Sequence, residues 1–148
     1  MLMKALKVYL EEGAKMPSRA HGTDAGLDIF APESIILYAG NSVEVDTKVH
    51  IEIPKGFCGL IKSKSGLLIK HCISGEGVID SGYNGSIHVK LFNNSKDEKM
   101  YFFEKGDKLI QLLIVPIETP ELELVESIQD LYGGDTERGT NGFGSSGK

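Results

Sequence analysis

The chain reads as an all-β domain of barrel or jelly-roll-like type, and three observations predict this. Apolar residues recur at every second position: Val43 and Val45; Val49, Ile51 and Ile53; Ile87, Val89 and Leu91; and Leu122 and Leu124. Helical periodicity hardly appears. Eighteen glycines and five prolines punctuate these short runs, which fits strands joined by turns better than a doubly wound sheet. The 148 residues, 41% of them hydrophobic, match the length and core of one domain.

Taken in order, Met1-Leu2-Met3-Lys4 leads into an alternating strand and is not an apolar signal core. In Asp24-Ala25-Gly26-Leu27-Asp28 a corner of small residues delivers a carboxylate into the next strand; a loop acid that binds nearby amides has the same pattern. Ser63-Lys64-Ser65-Gly66-Leu67 predicts one short helix through Leu67, Leu68 and Ile69, with Ser65 as its N-cap. It places a cation, a hydroxyl and a free amide where anions are favoured, although a plain N-cap beside a solvated lysine reads the same way.

The most informative stretch is Gly77-Val78-Ile79-Asp80-Ser81-Gly82-Tyr83-Asn84-Gly85. Two apolar residues lead into Asp80, and a glycine-punctuated turn then presents Tyr83, so a hairpin mouth is predicted in which acid and ring share one pocket. A surface hairpin whose acid merely caps the turn is the competing reading. Gly106-Asp107-Lys108-Leu109-Ile110-Gln111 sets a polar amide inside an apolar strand, where it must find a partner, either a neighbouring backbone or a ligand.

Residues 1–131 are expected to form the β-domain, with the acidic stretch Glu118 to Asp130 as a solvated connector that strand exchange between chains would also suit. Residues 132–148 read as a mobile, glycine-rich tail with too few apolar groups to fold alone. Its glycines let backbone N–H groups converge on an anion, Arg138 can fork onto a phosphate and Phe143 can stack on a planar ring. That suits a nucleotide lid, and plain disorder suits the composition equally well.

A formal charge of −5 disfavours a general phosphate-backbone binder, so no nucleic-acid partner is expected. Cys58 and Cys72 lack paired spacing, which predicts a reduced, cytoplasmic protein. The longest apolar run, Leu109 to Ile117, is interrupted by Gln111 and Pro116 and falls well short of the roughly 18 residues of a membrane span. His21, His50 and His71 show no close ligand spacing, so zinc is not expected.

Five motifs in order, Ala25-Gly26-Leu27-Asp28, Lys64-Ser65-Gly66-Leu67, Gly77-Val78-Ile79-Asp80 with Tyr83 and Gly85, Gly106-Asp107-Lys108 with Gln111, and Arg138-Gly139 with Gly142-Phe143-Gly144-Ser145, resemble those of the homotrimeric dUTPase family. The resemblance implies a distorted jelly-roll or β-clip barrel with one short helix and a C-terminal lid. It implies a homotrimer whose active sites each draw on more than one chain, and hydrolysis of dUTP to dUMP and pyrophosphate. That activity would limit uracil incorporation into DNA and supply dUMP for thymidylate synthesis, in the cytoplasm or, for a viral or phage protein, in the host cell.

By the same resemblance Asp80 is the general base that activates water for attack on the α-phosphorus. Asp28 would organise a Mg²⁺ and its water shell indirectly, through water. Lys64, Ser65, Gly66 and Gln111 would hold phosphates. Ser74, Gly77, Val78, Ile79 and His88 would read uracil, mostly through main-chain groups. Tyr83 would pack on the deoxyribose, and Arg138, Phe143, Gly144, Ser145 and Ser146 would close over the nucleotide.

Some positions depart from the family pattern. Lys64 stands where Arg is usual and cannot make a planar bidentate grip. Thr140-Asn141 replaces the more common Ser-Gly, and Ser146 stands where Thr is usual. Two alternatives remain open at this point: a dCTP deaminase, for which Glu76 would be the tempting acid, and a non-catalytic trimer that keeps the shell as a binding module. The intact tail and the Asp80 and Tyr83 pair speak against the first, and the retention of both acids against the second.

Overall fold

The computed structural model describes residues 5–97 and 99–147; the predicted start of the first strand at Met1 to Lys4 lies outside them. Eleven strands and one short helix follow in order: Val8–Leu10 (β1), Leu27–Phe30 (β2), Ile35–Tyr38 (β3), Ser42–Asp46 (β4), Val49–Ile51 (β5), Phe57–Ser63 (β6), Ser65–His71 (α1), Ile73–Ser74 (β7), Gly77–Ile79 (β8), His88–Asn93 (β9), Met100–Phe103 (β10) and Lys108–Pro116 (β11). The chain divides into a β-domain ending at Glu118 and a C-terminal unit from Thr119.

In the β-domain the strands form four antiparallel sheets, ordered β1-β5, β10-β3, β2-β11-β6-β8 and β4-β9-β7. Alternation explains why. Along β9 the pattern is exposed then buried at every step, so Val89 and Leu91 point inward while His88, Lys90 and Phe92 point out. Val45, Val49, Ile51 and Ile53 join them in one core with Ile29, Leu37, Ile61, Ile73, Ile79, Phe103, Leu109, Ile110 and Leu112. Burying a side chain of this size is worth about 1.5–3 kcal/mol, which is why the alternation is decisive.

The core also contains polar groups, each with a specific task. Asn93 is fully buried; its Nδ2 donates to the Leu37 carbonyl at 3.1 Å and its Oδ1 accepts from the Ser95 amide at 3.0 Å, which ties β9 to β3. Thr47, also fully buried, donates from Oγ1 to the Ile87 carbonyl at 2.7 Å. Among the described residues, no buried side-chain polar atom lacks a hydrogen-bond partner.

Three local expectations are corrected. First, the Asp80 turn does not close a hairpin: β8 pairs with β6 and β9 with β4 and β7, so residues 80–87 cross from one sheet to another. The registration of Ile79 against Gly59 explains this. A Cβ on Gly59 would stand 3.2 Å from Ile79, and that close seat holds β8 against β6. Second, α1 is capped by the backbone of Lys64 without a side-chain hydrogen bond, and Ser65 is its first helical residue. Lys64 has the extended φ/ψ of a cap, while the Leu68 amide already donates to its carbonyl.

Third, Leu122 and Leu124 alternate but form no strand and stand 97% and 98% exposed. An alternating segment becomes a strand only when a neighbour supplies the ladder, and none does so among the described residues. The C-terminal unit has a short 3₁₀-type turn at Ile128–Gly133, broken at Leu131 and Tyr132, with Ser127 and Asp130 closing a capping box. Beyond it come successive turns in which Asn141 donates to the Arg138 carbonyl and Ser145 to the Gly142 carbonyl, both at 3.1 Å.

Asn93→Ala should therefore destabilise the β-domain by about 2–3 kcal/mol, because it strands the Leu37 carbonyl in the core. Urea denaturation should show a lower midpoint with an unchanged slope; an unaltered midpoint would remove Asn93 as the tie between β9 and β3.

Candidate functional site

Three of the five motifs meet at one end of the four-stranded sheet, because β11 pairs with β2 on one side and β6 on the other. Between Lys108 and Ile110 the register of β11 against β2 shifts by one residue, which seats Gln111 opposite Asp28. Without that bulge Ile110 would face the acid, since a one-residue slip exchanges the faces of a strand. Across β6, Gln111 lies opposite Lys62. Its side chain is half-buried, and Nε2 donates to the Ser63 carbonyl at 3.0 Å. Gly26 must lack a side chain, because a Cβ there would run into the Gln111 amide.

Asp28 is the centre of this cluster and only 3% exposed. Its backbone bridges to Ser18, and its two carboxylate oxygens are taken by two lysines: Oδ1 accepts from Lys64 Nζ, and Oδ2 from Lys108 Nζ at 2.8 Å. Burial alone would raise the carboxyl pKa. The hydrogen bonds and charges of Lys108 and Lys64 outweigh it, so the group is held below its ordinary range and stays ionised. One carboxylate against two ammonium groups leaves a net positive charge. Ser65 and Gly66 are exposed at the start of α1 beside Lys64.

The cluster lies beside an open cleft of about 400 Å³ lined by Lys64, Gly66, Lys70, His71, Tyr101 and Lys108, among others. Lys108 is a site residue that sequence reading names only as part of a turn-and-strand motif. Its partnership with Asp28 follows from the pairing of β2 with β11, to which no local pattern points.

The third motif lies elsewhere. Asp80 follows directly on β8, whose Ile79 is level with Gly59 of β6, whereas Gln111 and Asp28 are level with Lys62. Three residues along β6 separate the two levels, about 10 Å, and three strand spacings across the sheet add about 14 Å. Within the chain's β-domain, Asp80 and Asp28 thus occupy different ends of one sheet. Asp80, Tyr83 and Val78 are exposed. The Tyr83 ring folds back over its own turn, its Oη donating to the Ser86 carbonyl at 2.9 Å, and a Cβ on Gly85 would strike that ring.

Of the residues predicted to read a base, Ser74 is half-buried on β7, Gly77 and Val78 pair with Ile61 and Leu60, and His88 Nδ1 lies 2.9 Å from Glu44 Oε1. Within the C-terminal unit, Arg138 donates from Nε to the Asn141 carbonyl at 3.1 Å and lines an open cavity with Asn141, Ser145 and Ser146. Phe143 is fully exposed with a φ of 51°, and Gly144 follows it at 85°.

Both Asp28 oxygens are engaged by lysines, and no group of three His, Cys, Asp or Glu among the described residues is placed to hold a metal.

Comparison with known proteins bears on the family and the fold. The dUTPase family model matches residues 12–147. The mouse deoxyuridine 5'-triphosphate nucleotidohydrolase is 39% identical over 142 residues, 95% of this chain and 83% of that protein. The Kluyveromyces lactis enzyme of the same name is 38% identical over 99% of this chain and 97% of its own length. Among solved structures, a variant of the Staphylococcus bacteriophage 80alpha dUTPase with dUpNHpp superposes with a TM-score of 0.88 at 36% identity, over 99% of this chain and all of that one. A phage phi11 dUTPase variant from S. aureus, described with a structural Mg(II) ion, gives a TM-score of 0.76 at 36% identity over 84% of this chain and 99% of its own. A match over nearly the whole chain, with an all-β fold in common, places this chain in the dUTPase family.

Proposed function

We propose that the protein hydrolyses dUTP to dUMP and pyrophosphate, limiting uracil in DNA and supplying dUMP for thymidylate synthesis. The observation that carries this reading is the Lys64, Lys108 and Gln111 cluster around Asp28. It offers surplus positive charge and an amide at one sheet end, as a triphosphate requires. Ser65 and Gly66 add a hydroxyl and a backbone N–H at the same rim. Asp28 keeps both ammonium groups in place, and a Mg²⁺ on the phosphates, met only through water, would neutralise their remaining charge.

Asp80 supplies the complementary chemistry. An exposed carboxylate on a turn can hold a water and accept its proton as the oxygen attacks the α-phosphorus. Tyr83 would lie against the deoxyribose where a 2′-hydroxyl would clash, while main-chain groups of Ser74, Gly77, Val78, Ile79 and His88 read the uracil edge. Because Asp80 and the cationic cluster lie at different sheet ends, we infer a homotrimer in which the base of one chain serves the phosphates held by another. Residues 132–148 then form the lid, with Arg138 on phosphate, Phe143 stacked on the base and Gly144, Ser145 and Ser146 donating N–H and O–H groups. The unpaired Leu122 and Leu124 suit a connector that pairs with a neighbouring chain.

Both cysteines are free, and no helix among the described residues is long and apolar enough to cross a membrane; with them goes the reading of a cytoplasmic enzyme, or of a phage enzyme acting in its host.

Replacing Asp80 with Asn keeps size and removes proton acceptance, so kcat for dUTP should fall roughly 10²- to 10⁴-fold while the nucleotide still binds. Pyrophosphate release at near-normal rate by this variant would end the assignment. Mixing Asp80→Asn chains with chains ending at Glu137 should restore part of the activity, since some mixed sites regain both parts; if neither mixture nor light scattering reveals shared trimers, the site is built within one chain. Tyr83→Ala should lower the preference for dUTP over UTP in kcat/KM, and an unchanged ratio would leave Tyr83 as a packing residue.

A further inference from the structure

His50 sits at the centre of β5 opposite Tyr9 of β1, with 22% of its side chain exposed. Its Nδ1 lies 2.8 Å from the carbonyl oxygen of Asn84, and its Nε2 lies 2.7 Å from Glu11 Oε1. A carbonyl and a carboxylate both accept and do not donate. A neutral imidazole carries one N–H, so the ring satisfies both neighbours only as the imidazolium.

Its partners belong to separate parts of the chain. Glu11 follows β1, and Asn84 lies at the tip of the crossing that carries Asp80 and Tyr83. The far end of that crossing is tied through Ile87, whose N–H donates to the Val49 carbonyl at 2.8 Å and whose carbonyl accepts from Thr47; its near part carries short-range bonds, Tyr83 N to the Asp80 carbonyl at 3.2 Å and Tyr83 Oη to the Ser86 carbonyl. Gly82, at a φ of 92°, lies between acid and ring in a left-handed conformation that glycine adopts without steric cost. His50 reaches the turn from outside.

We propose that protonated His50 is the positioning residue for the 80–85 turn, holding Asp80 and Tyr83 in place from the β1-β5 sheet and making the turn's order depend on pH. The inference rests on the dUTP-hydrolysis reading only for its effect on turnover.

The groups facing the ring come from each element packed on it: Glu11 from the β1-β2 connection, Tyr9 of β1 with ring centroids 5.3 Å apart, and Asp46 at the end of β4. The Lys7 and Glu52 pair, itself closed at 2.9 Å, and Tyr83 line an open cleft with His50. The bond to the Asn84 carbonyl, then the bond to Glu11, raise the imidazole above its ordinary 6.5 against the opposing effect of burial. A raised folded-state value means that the anchoring is complete below 6.5 and is lost as pH rises through the folded value.

Three measurements on the full chain test this. NMR of the imidazole should show both nitrogens protonated at pH 6, with titration above that of a free histidine. Amide hydrogen exchange of Ser81 to Gly85 should then accelerate across the same titration. In His50→Gln it should be about tenfold faster at pH 6 than in the parent, as the loss of one anchoring hydrogen bond predicts, and no longer follow an imidazole titration. Glu11→Gln, an exposed change that leaves the core untouched, should move both the imidazole titration and the alkaline limb of kcat/KM for dUTP to lower pH. Parent-like protection of the turn in His50→Gln, or an alkaline limb and imidazole titration unmoved in Glu11→Gln, would overturn the proposal. If exchange and titration behave as expected and dUTP is not hydrolysed, the anchoring stands and the substrate assignment falls.

Discussion

The pairing of β11 with two strands at once is the constraint on which the rest depends. β2 brings Asp28 to one side of it, β6 brings Ser63 and then Lys64 to the other, and the bulge before Ile110 decides which side chain lies between them. With the bulge, Gln111 stands opposite Asp28 and reaches the Ser63 carbonyl, and Ile110 and Leu112 turn into the core. The same shift thus sets a polar side chain among charged groups and seats two of the largest core residues. Gly26 belongs to this arrangement, since only a residue without a Cβ leaves room for the amide.

Asp28 shows how a buried charge can be tolerated in such a place. A carboxylate removed from water is costly unless each oxygen is met by a charged donor, and here two lysines do so, one on β11 and one at the cap of α1. Lysine in place of arginine at position 64 provides a compact point charge, which engages a single oxygen and leaves the second to Lys108. The arrangement is therefore complete with two monodentate partners.

Much of this was legible in the sequence, and what was not has a physical reason. Alternation at Val43 and Val45, at Val49 and Ile51, and at Val89 and Leu91 reported burial faithfully, because strand side chains must choose a face. The same pattern misled at Leu122 and Leu124, since periodicity describes a side-chain preference and says nothing about whether a neighbouring strand is available. Turn chemistry found the reversal at Gly82 but assigned it to a hairpin; a turn's residues fix its local geometry, while the sheet each flank joins is set by distant packing such as Ile79 against Gly59. Lys108 and His50 illustrate a further limit. Each matters through a partner tens of residues away, and no spacing rule links them.

The placement of Asp80 and the lysine cluster at different ends of one sheet has a consequence for how such a protein behaves in a cell. An activity that draws on both ends through neighbouring chains depends on protomer concentration as well as on folding. Dilution would silence it while every chain remained fully folded. Chains of two alleles expressed together would exchange working parts, so a damaged end in one could be hidden by, or could spoil, its partners. Selection would then act on the assembly before it acted on any single copy.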